Sequence, residues 1–311
     1  MVTLRQMEYL LTVVEQQSFT KAAELLHVSQ SGLSQQIRAL EHDVGSPLLE
    51  RLPHAVRLTA AGTAFSRDAA VALRAARQAR EAVIEVASGR TGQLELATVL
   101  SLAVGLLPPV LADWSTTWPG ITMTLHEFSH RRLLENQLLR GLADVGVGPR
   151  PDPWSGEIVD LGLERFVIVA APDDPLALYV TPYDGEPPAA APRSRGRLAV
   201  TRLRDRRWVM LSRDNGLSEL VEAHLVMGGL RHPAVVLRSS QTEAAARVAA
   251  TGLGVTLLPA NVIPSDLPAL ICEPDPPLTR PLSAYARGPF SPAAERFVEL
   301  LVERGGMLER T

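Results

Sequence analysis

Cysteine, lysine and aromatic residues are scarce in this 311-residue chain. Cys272 is the single cysteine, which excludes an intramolecular disulfide and a cysteine-rich zinc module. Aromatic residues make up 5% of the chain, and Lys21 is the single lysine among 31 basic residues. Because Ala, Gly and Pro are also abundant, the arginine bias indicates genome base composition rather than a function.

Long apolar runs and a strong net charge are also lacking. No apolar run approaches the ~18–20 residues of a membrane span, and no basic segment precedes an apolar core at the N-terminus, so we expect neither membrane association nor a secretory signal. The net charge is −3 in a chain that is 46% hydrophobic. This composition excludes a disordered protein and predicts a cytoplasmic one of about two domains. Any DNA binding must then come from local placement of charge.

Residues 1–62 have the pattern of short helices joined by tight turns. Apolar spacing predicts three helices, the second with Thr20 as its N-cap and the third over residues 31–43. A two-stranded hairpin is predicted to follow over residues 48–59, with Pro53 and His54 at its tip. The second and third helices would form a helix-turn-helix over about residues 18–37.

The third predicted helix carries side chains suited to reading DNA. In a helix-turn-helix this helix lies in the major groove, where glutamine can bond adenine, arginine can bond guanine and serine can reach a base edge or a phosphate. Arginines of the hairpin could contact phosphate from a wing. A short polar helix face also occurs on many other proteins, so the pattern alone is not specific. The candidate DNA-binding residues are Thr20, Gln30, Ser31, Ser34, Gln35, Arg38, Arg51 and Arg57.

A long helix is predicted over residues 63–91. Its small apolar residues recur at alternating spacings of four and three, which forms a heptad seam suited to close helix–helix contact. The seam consists of Phe65, Ala69, Ala72, Ala76, Ala79, Val83 and Val86. A helix packed on its own domain would also fit this pattern, but the narrow seam with arginines outside it favours dimerisation.

From Gly92 onward strands and helices alternate, which predicts an α/β fold with two parallel sheets. In such folds strand ends and helix N-termini line the ligand crevice. Each serine at such a position could instead simply cap its own helix. The candidate ligand-binding residues are Ser101, Leu102, Ser129, His130, Gly146, Val147, Leu211, Ser212 and Gln241.

The string from His126 to His130 matches H-E-x-x-H, the signature of zinc proteases. That site requires both histidines on one face of a helix. Residues 121–126 instead alternate as a strand does, and a helix is predicted only after Ser129. A zinc hydrolase, or a small-molecule-binding protein without a DNA function, is therefore the alternative interpretation. We expect no metal site, and the sequence has no nucleotide-binding or nucleophile-elbow motif, so we expect no cofactor and no catalysis.

The amino-acid sequence of residues 18–62 is the feature that is specific to one protein family. The run SFTKAAELLHVSQSGLSQQIRALEHDVGSPLLERLPHAVRLTAAG strongly resembles the LysR-type transcriptional regulators. The resemblance covers the whole chain, because the family has similar short motifs at the positions of Pro119-Gly120-Ile121 and Gly252-Leu253-Gly254-Val255. Two features depart from the family. Leu49 stands where phenylalanine is usual, and the Pro- and Gly-rich residues 179–196, predicted to form a flexible surface loop, are longer than usual.

The resemblance implies a multidomain protein. It would have a mostly α winged helix-turn-helix domain, a linker helix and a two-lobed α/β domain like periplasmic binding proteins, over residues 1–62, 63–91 and 92–311. Lobe 1 is expected over about residues 92–163 and 269–311 and lobe 2 over about 164–268, with crossing segments near 160–166 and 266–271.

The resemblance also implies partners. These are double-stranded promoter DNA, a small-molecule effector in the cleft between the lobes, RNA polymerase, and further copies of the chain in a homodimer or homotetramer. With one cysteine, the intramolecular disulfide of a peroxide sensor cannot form. The effector, the target genes and the sign of regulation stay open.

Overall fold

The computed structural model describes residues 1–52, 55–88, 92–304 and 308. By its internal contacts the chain divides into two compact units, Met1–Gly92 with Asn136–Leu142, and Gln93–Glu135 with Ala143–Thr311. Among the described residues, no helix has the length and apolar content needed to cross a membrane.

In the N-terminal unit three short helices precede a hairpin and a long helix. Leu10, Leu33, Ile37 and Leu40 are fully buried and form the centre of its core, as the apolar spacing predicts. The predicted hairpin tip, Pro53-His54, lies outside the described residues. The elements are α1 (Leu4–Gln16), α2 (Phe19–Leu25), α3 (Gln30–Val44), β1 (Leu49–Leu52), β2 (Ala55–Leu58) and α4 (Ala60–Ser88).

The helix caps fix the turn between α2 and α3. Ser18, not the predicted Thr20, caps α2, because its backbone is extended and its Oγ accepts a hydrogen bond from the Lys21 N–H at 3.4 Å. Ser29 caps α3 in the same way, accepting from the Gly32 N–H at 3.1 Å. Gly45 ends α3 with a φ of 73°, a conformation that favours glycine.

Glu41 ties the hairpin to α3. Its Oε1 accepts hydrogen bonds from the backbone N–H groups of Leu48 at 2.9 Å and Leu49 at 3.1 Å. Gly62 then passes so close to this segment that a Cβ there would lie 2.0 Å from the Leu48 carbonyl oxygen. The hairpin is thus held from both sides by side-chain hydrogen bonding and close backbone packing.

The long helix α4 begins three residues before the predicted linker boundary. Ala69 is 1% exposed and Phe65 packs partly on the core of the N-terminal unit, so the first turns are held within the unit. Ala79, further along the same seam, is exposed. The side chains of Val83 and Val86 lie outside the described part of the chain.

The C-terminal unit consists of two lobes that share one long strand. Its strands are β3 (Gly92–Val99), β4 (Ile121–Phe128), β5 (Val145–Pro149), β6 (Ile158–Ala170), β7 (Arg197–Ala199), β8 (Arg207–Leu211), β9 (Ala234–Ser239), β10 (Thr256–Pro259), β11 (Leu270–Asp275) and β12 (Thr279–Tyr285). Its α-helices are α5 (Leu100–Val104), α6 (Leu107–Thr117), α7 (Arg131–Leu139), α8 (Gly216–Met227), α9 (Thr242–Ala250) and α10 (Pro292–Arg304).

The sheet is mixed, so the prediction of two parallel sheets is wrong. The strand order is β4-β3-β5-β12-β6-β11-β7, with β10 also paired to β6, and β8 pairs separately with β9. β6 is antiparallel to β12, β10 and β11, whereas the β3–β5, β11–β7 and β8–β9 pairs are parallel. The long antiparallel pairs arise because the chain crosses from one lobe to the other and then returns alongside itself.

The first crossing lies within β6. Arg165 pairs with Thr279 of β12, and the next residue, Phe166, pairs with Pro259 of β10. This switch falls inside the predicted crossing at 160–166. The return lies later than the predicted 266–271, because β11 still pairs with lobe 2 strands through Asp275. The chain therefore returns to lobe 1 at residues 276–279.

Residues 179–196 are packed on lobe 2 rather than forming only a surface loop. Ala190, Ala191 and Ser194 are 5%, 1% and 6% exposed. The Arg193 guanidinium donates to the carbonyl oxygens of Pro264 and Leu267. The proline and glycine content that predicts a loop does not register these buried contacts.

Candidate functional site

One face of α3 presents the predicted DNA-reading side chains together. Leu33, Ile37 and Leu40 point into the core, which turns the opposite face of the helix to solvent. The Arg38 Nε donates to the Ser34 carbonyl oxygen at 3.3 Å, so its stem lies along the helix. The residues of this face are Gln30, Ser31, Gln35 and Arg38, which are exposed, and Ser34, which is half-buried.

The remaining predicted DNA-binding residues lie on α2 and on the hairpin. Thr20 is exposed in the first turn of α2, and Arg57 is exposed on β2. Arg51 lies in β1 with its backbone paired to Val56, and its side chain lies outside the described part of the chain.

Gln36 belongs to a different face of α3 from its neighbour Gln35. Its Oε1 accepts a hydrogen bond from the Gln6 Nε2 at 3.4 Å, which ties α3 to α1. Both glutamines are exposed, but Gln36 is tied to a neighbouring helix by this bond.

Between the lobes of the C-terminal unit lies a small cavity of about 40 Å³. A cavity of this size holds only a few water molecules. It brings together the end of β3, the turn before α7, the end of β5, the start of α8 and β12. It is lined by Val99, Leu100, Ser101, Ser129, Arg131, Pro149, Asn215, Gly216, Leu217 and Arg280.

Arg280 is the central charged group of this cleft. It is 9% exposed, and its Nε and Nη2 lie 2.8 and 2.6 Å from the Glu164 Oε2. Its Nη2 also donates to the Ser101 Oγ at 3.3 Å. The other carboxylate oxygen of Glu164 accepts from the Asn261 Nδ2 at 3.0 Å. The buried ion pair therefore has partners on both sides, which is the condition for such a pair to be stable.

The start of α8 closes the cleft from lobe 2. The Asn215 Oδ1 caps the helix by accepting from the Leu217 N–H at 3.0 Å. The Gly216 N–H donates across the cleft to the Ser129 carbonyl oxygen of lobe 1 at 2.8 Å. A Cβ at Gly216 would lie 3.1 Å from that oxygen and 3.3 Å from the His130 Nδ1. The lobes thus meet at a glycine, where little space remains for a side chain.

The structure places two of the nine predicted ligand-binding residues, Ser101 and Ser129, in the cavity wall, and His130 lies beside it. The other six do not line this cavity. Leu102 is fully buried, Gly146 and Val147 are buried within β5, Leu211 and Ser212 lie at the end of β8, and Gln241 is exposed before α9.

Sequence reasoning missed Arg280, Asn215 and Arg131. Arg280 is the second residue of β12, 179 residues from Ser101 in the chain, so no local pattern connects the two. Asn215 carried a usable signal, because asparagine before an apolar helix is a preferred N-cap. This N-cap signal marks the start of α8, which lies beside the ends of β3 and β5 in the cleft.

The H-E-x-x-H string does not form a zinc site. His126 lies in β4 and His130 lies after its end, so the two histidines are not on one helical face. The His126 Nε2 is instead 2.7 Å from the Glu95 Oε2 of β3. Among the described residues, no cluster of three or more His, Cys, Asp or Glu residues could hold a metal.

Cys272 is placed where a thiol is unreactive. It is fully buried in β11, and burial, with a smaller effect of Asp174, raises its pKa to about 12. The thiolate, which is the reactive form, is therefore negligible near neutral pH.

Comparison with known protein families confirms the resemblance predicted from the sequence. The family model "LysR substrate binding domain" matches residues 87–306, and "Bacterial regulatory helix-turn-helix protein, lysR family" matches residues 4–63.

Similar proteins are regulators over the full length of the chain. The Hca operon transcriptional activator HcaR of Escherichia coli (strain K12) is 31% identical over 306 residues, which is 97% of each chain. A hydrogen peroxide-inducible genes activator of Pectobacterium carotovorum subsp. carotovorum is 29% identical over 265 residues, 85% of this chain and 82% of the relative. The structure of full-length CbnR complexed with its target DNA has a TM-score of 0.65 and 25% identity, covering 97% of this chain and 100% of that one. The chain therefore belongs to the LysR family of DNA-binding transcriptional regulators, with an N-terminal helix-turn-helix and a C-terminal two-lobed effector-binding domain.

Proposed function

We propose that this regulator reads promoter DNA with the exposed face of α3, and that a small anion in the cleft between its lobes modulates that binding. The observation that carries the second part is the buried Arg280, which donates to Ser101 at the cleft wall. The proposal makes the protein a cytoplasmic regulator without enzymatic activity, since its target is the promoter.

The DNA-reading part is supported by the side chains that α3 presents. Gln35 and Arg38 are exposed on the face opposite the core, and both are long enough to reach base edges in a major groove. Arg57 on the wing is placed to contact phosphate, where it adds affinity without selecting a sequence. Thr20 and Ser31 are further candidates for contacts to the DNA backbone, and Gln30 and Ser34 for contacts to bases.

The test of this part compares variants by fluorescence anisotropy on the DNA upstream of the protein's own gene. Gln35→Ala and Arg38→Ala should each weaken specific binding by about 1–3 kcal/mol. Arg57→Ala should reduce the slope of log binding constant against log salt concentration by about 1, the value expected for the loss of one phosphate contact. Gln36→Ala is the matched control, because the Gln36 side chain, although also exposed, is bonded to Gln6 of α1. Equal losses for Gln35→Ala and Gln36→Ala would contradict the assignment of the α3 face.

The anion part is supported by the chemistry of the cleft. Its lining contains two arginines, Arg131 and Arg280, and no acidic side chain. The N-terminal end of α8 also points into it and carries a partial positive charge. Each arginine also has an acidic partner outside the lining, Glu135 for Arg131 and Glu164 for Arg280. The charged side chains of the lining itself are thus both basic, which favours an effector that carries a carboxylate or a similar anion.

The small volume of the cleft supports a mechanism by population shift. An effector larger than a few waters can enter only when Gly216 and Ser129 separate, so it binds the more open arrangement better. A ligand moves such an equilibrium by the difference between its affinities for the two arrangements. Effector binding would in this way change the geometry presented to DNA and to RNA polymerase.

The anion part can be tested by thermal shift with formate, acetate, benzoate and sulfate, followed by titration of any stabilising anion. Ser101→Ala removes a hydroxyl that accepts from Arg280 and can donate its own hydrogen to a bound anion, while the Arg280–Glu164 ion pair is kept. It should weaken anion binding about tenfold. Ser115→Ala on α6 is the control, since that hydroxyl bonds only the Ala112 carbonyl of its own helix. Stabilisation by neutral analogues and not by anions would contradict an anionic effector.

A homodimer formed through α4 is part of the same proposal. Ala79 lies on the heptad seam and is exposed, whereas Ala69 of the seam is covered within the unit. Ala79→Glu should therefore shift sedimentation velocity toward the monomer. Ala75→Glu, an exposed alanine outside the seam, should not. Association that is unaffected by Ala79→Glu would place the contact elsewhere.

A further inference from the structure

Residues 179–196, named here the strap, are joined to β11, a neighbour of the strand β6 that crosses between the lobes. The strap is closed at its base by a pair of backbone hydrogen bonds between Thr181 and Arg197, each 2.8 Å long. It then runs along β11, where the Arg195 N–H donates to the Ile271 carbonyl at 2.9 Å and the Glu273 N–H donates to the Gly196 carbonyl at 2.9 Å. The strap is thus attached along β11, the lobe 2 strand that directly precedes the return to lobe 1 at residues 276–279.

Tyr183 of the strap holds a buried carboxylate. Its phenol donates to the Glu273 Oε2 at 2.6 Å and lies 3.0 Å from the Ser194 Oγ. Glu273 is 1% exposed. Burial and the bond to Glu273 raise the pKa of Tyr183 to about 12, so the phenol remains a donor throughout the physiological range. A buried carboxylate without such a donor loses much of its compensation for desolvation.

Glu273 in turn reaches the first crossing. Its Oε1 accepts from the Arg165 Nη1 at 2.7 Å, and Arg165 is the residue at which β6 changes partners. The preceding residue, Glu164, pairs with Arg280 at the cleft. Successive side chains of a strand point to opposite faces, so β6 is held on both faces at the point where it passes between the lobes.

We infer that Tyr183 is a positioning residue for lobe movement, because through Glu273 it fixes the Arg165 ion pair opposite the cleft and so sets how easily the lobes separate. This inference rests on the proposed effector cleft, but it concerns the free energy of opening without a ligand.

The experiment measures inter-lobe distances without any effector. Spin labels on Ser115→Cys in lobe 1 and Thr251→Cys in lobe 2, both exposed positions, report the distance distribution by pulsed dipolar spectroscopy in protein diluted with unlabelled copies. Cys272 does not interfere, since it is buried and unreactive. Tyr183→Phe should broaden the distribution toward longer distances. It should also speed amide exchange about tenfold or more at residues 164–166 and 278–280.

Tyr179→Phe is the matched control, because that tyrosine lies at the exposed start of the strap beneath the Arg202 guanidinium and does not reach Glu273. Glu273→Gln is the second variant, which keeps the side-chain shape but removes the charge that Arg165 binds. It should broaden the distribution as Tyr183→Phe does.

Two outcomes would overturn the inference. One is an unchanged distance distribution in Tyr183→Phe and Glu273→Gln, with faster exchange confined to the strap and β11, which would make Tyr183 merely structural. The other is equal broadening by Tyr179→Phe. A failure of the proposed effector site is separate, since it would show as absent anion binding while these ligand-free measurements keep their expected result.

Discussion

The backbone N–H of Gly216 in lobe 2 and the carbonyl oxygen of Ser129 in lobe 1 are 2.8 Å apart and form a hydrogen bond across the cleft. This contact involves no side chain, so its formation depends only on how closely the two backbones approach. Glycine permits that approach, since a Cβ would lie between the Ser129 carbonyl and the His130 ring.

Gly216→Ala should therefore weaken lobe closure. The added methyl group would lie 3.1 Å from the Ser129 oxygen, closer than most Cβ contacts, so the facing backbone must give way by a few tenths of an ångström. We expect faster amide exchange at residues 215–217 and a melting temperature lowered by no more than about 4 °C. Gly288→Ala, where a Cβ meets nothing within 4 Å, serves as the control. If both variants exchange like the wild type, Gly216 does not limit closure.

Glu41→Ala should destabilise the N-terminal unit and impair DNA binding together. The substitution removes the acceptor of two backbone N–H groups at the base of the hairpin. Hydrogen bonds to a charged group contribute about 1.5–3 kcal/mol each, less where water can replace them. The free energy of unfolding, measured by chemical denaturation, and the affinity for the operator should both decrease, because the wing loses its attachment to α3. Glu24→Ala, at an exposed position of α2, should leave both quantities unchanged, and equal behaviour of the two variants would argue against this role.

Peroxide should leave operator binding unaltered, although a relative is named for its response to peroxide. Cys272 is buried with its pKa raised to about 12, so it should not react with iodoacetamide in the native protein and should react readily once unfolded. Mass spectrometry after labelling measures this directly. Rapid native labelling, or loss of operator binding on peroxide treatment that Cys272→Ala prevents, would reveal a thiol response.

Stability should fall at mildly acidic pH because of His224. This residue of α8 is 4% exposed, and burial lowers its pKa even though its ring hydrogen bonds the backbone of Pro276. The unfolded chain therefore binds the proton more tightly than the folded one. The contribution of His224 is fully present above its unfolded pKa of about 6.5 and is lost as the pH falls through the folded value.

Urea unfolding at about pH 7.5 and pH 5.5 should show this loss in the wild type and a smaller one in His224→Gln. His232→Gln is the control, since His232 is exposed and should leave the wild-type pH dependence in place. If His224→Gln retains the full pH dependence, the acid lability arises from other groups.

The N-terminal fold could be predicted closely because its determinants are local. Leu33, Ile37 and Leu40 recur at helical spacing and are all buried, and the face of α3 opposite them follows from that periodicity alone. The error at Thr20 is also local, since Ser18 and Thr20 both have capping hydroxyls and only the backbone conformation decides between them.

The cleft could be predicted only in part because its charges come from distant segments. Ser101 and Ser129 follow strands, a position that can be recognised in the sequence. The partners Arg280 and Glu164 become neighbours only through the antiparallel pairing of β12 with β6. The same cause hid the strap contacts, since Tyr183 and Glu273 are 90 residues apart in the chain.

The 13 residues of β6 have a practical meaning for regulator design. Because this strand supplies hydrogen-bonding edges to both lobes, lobe 2 cannot be excised as a cassette without breaking the sheet of lobe 1. Chimeras that exchange whole lobes between relatives would therefore join mismatched strands. A change of inducer specificity is better sought by exchanging individual cleft side chains in an intact parental scaffold.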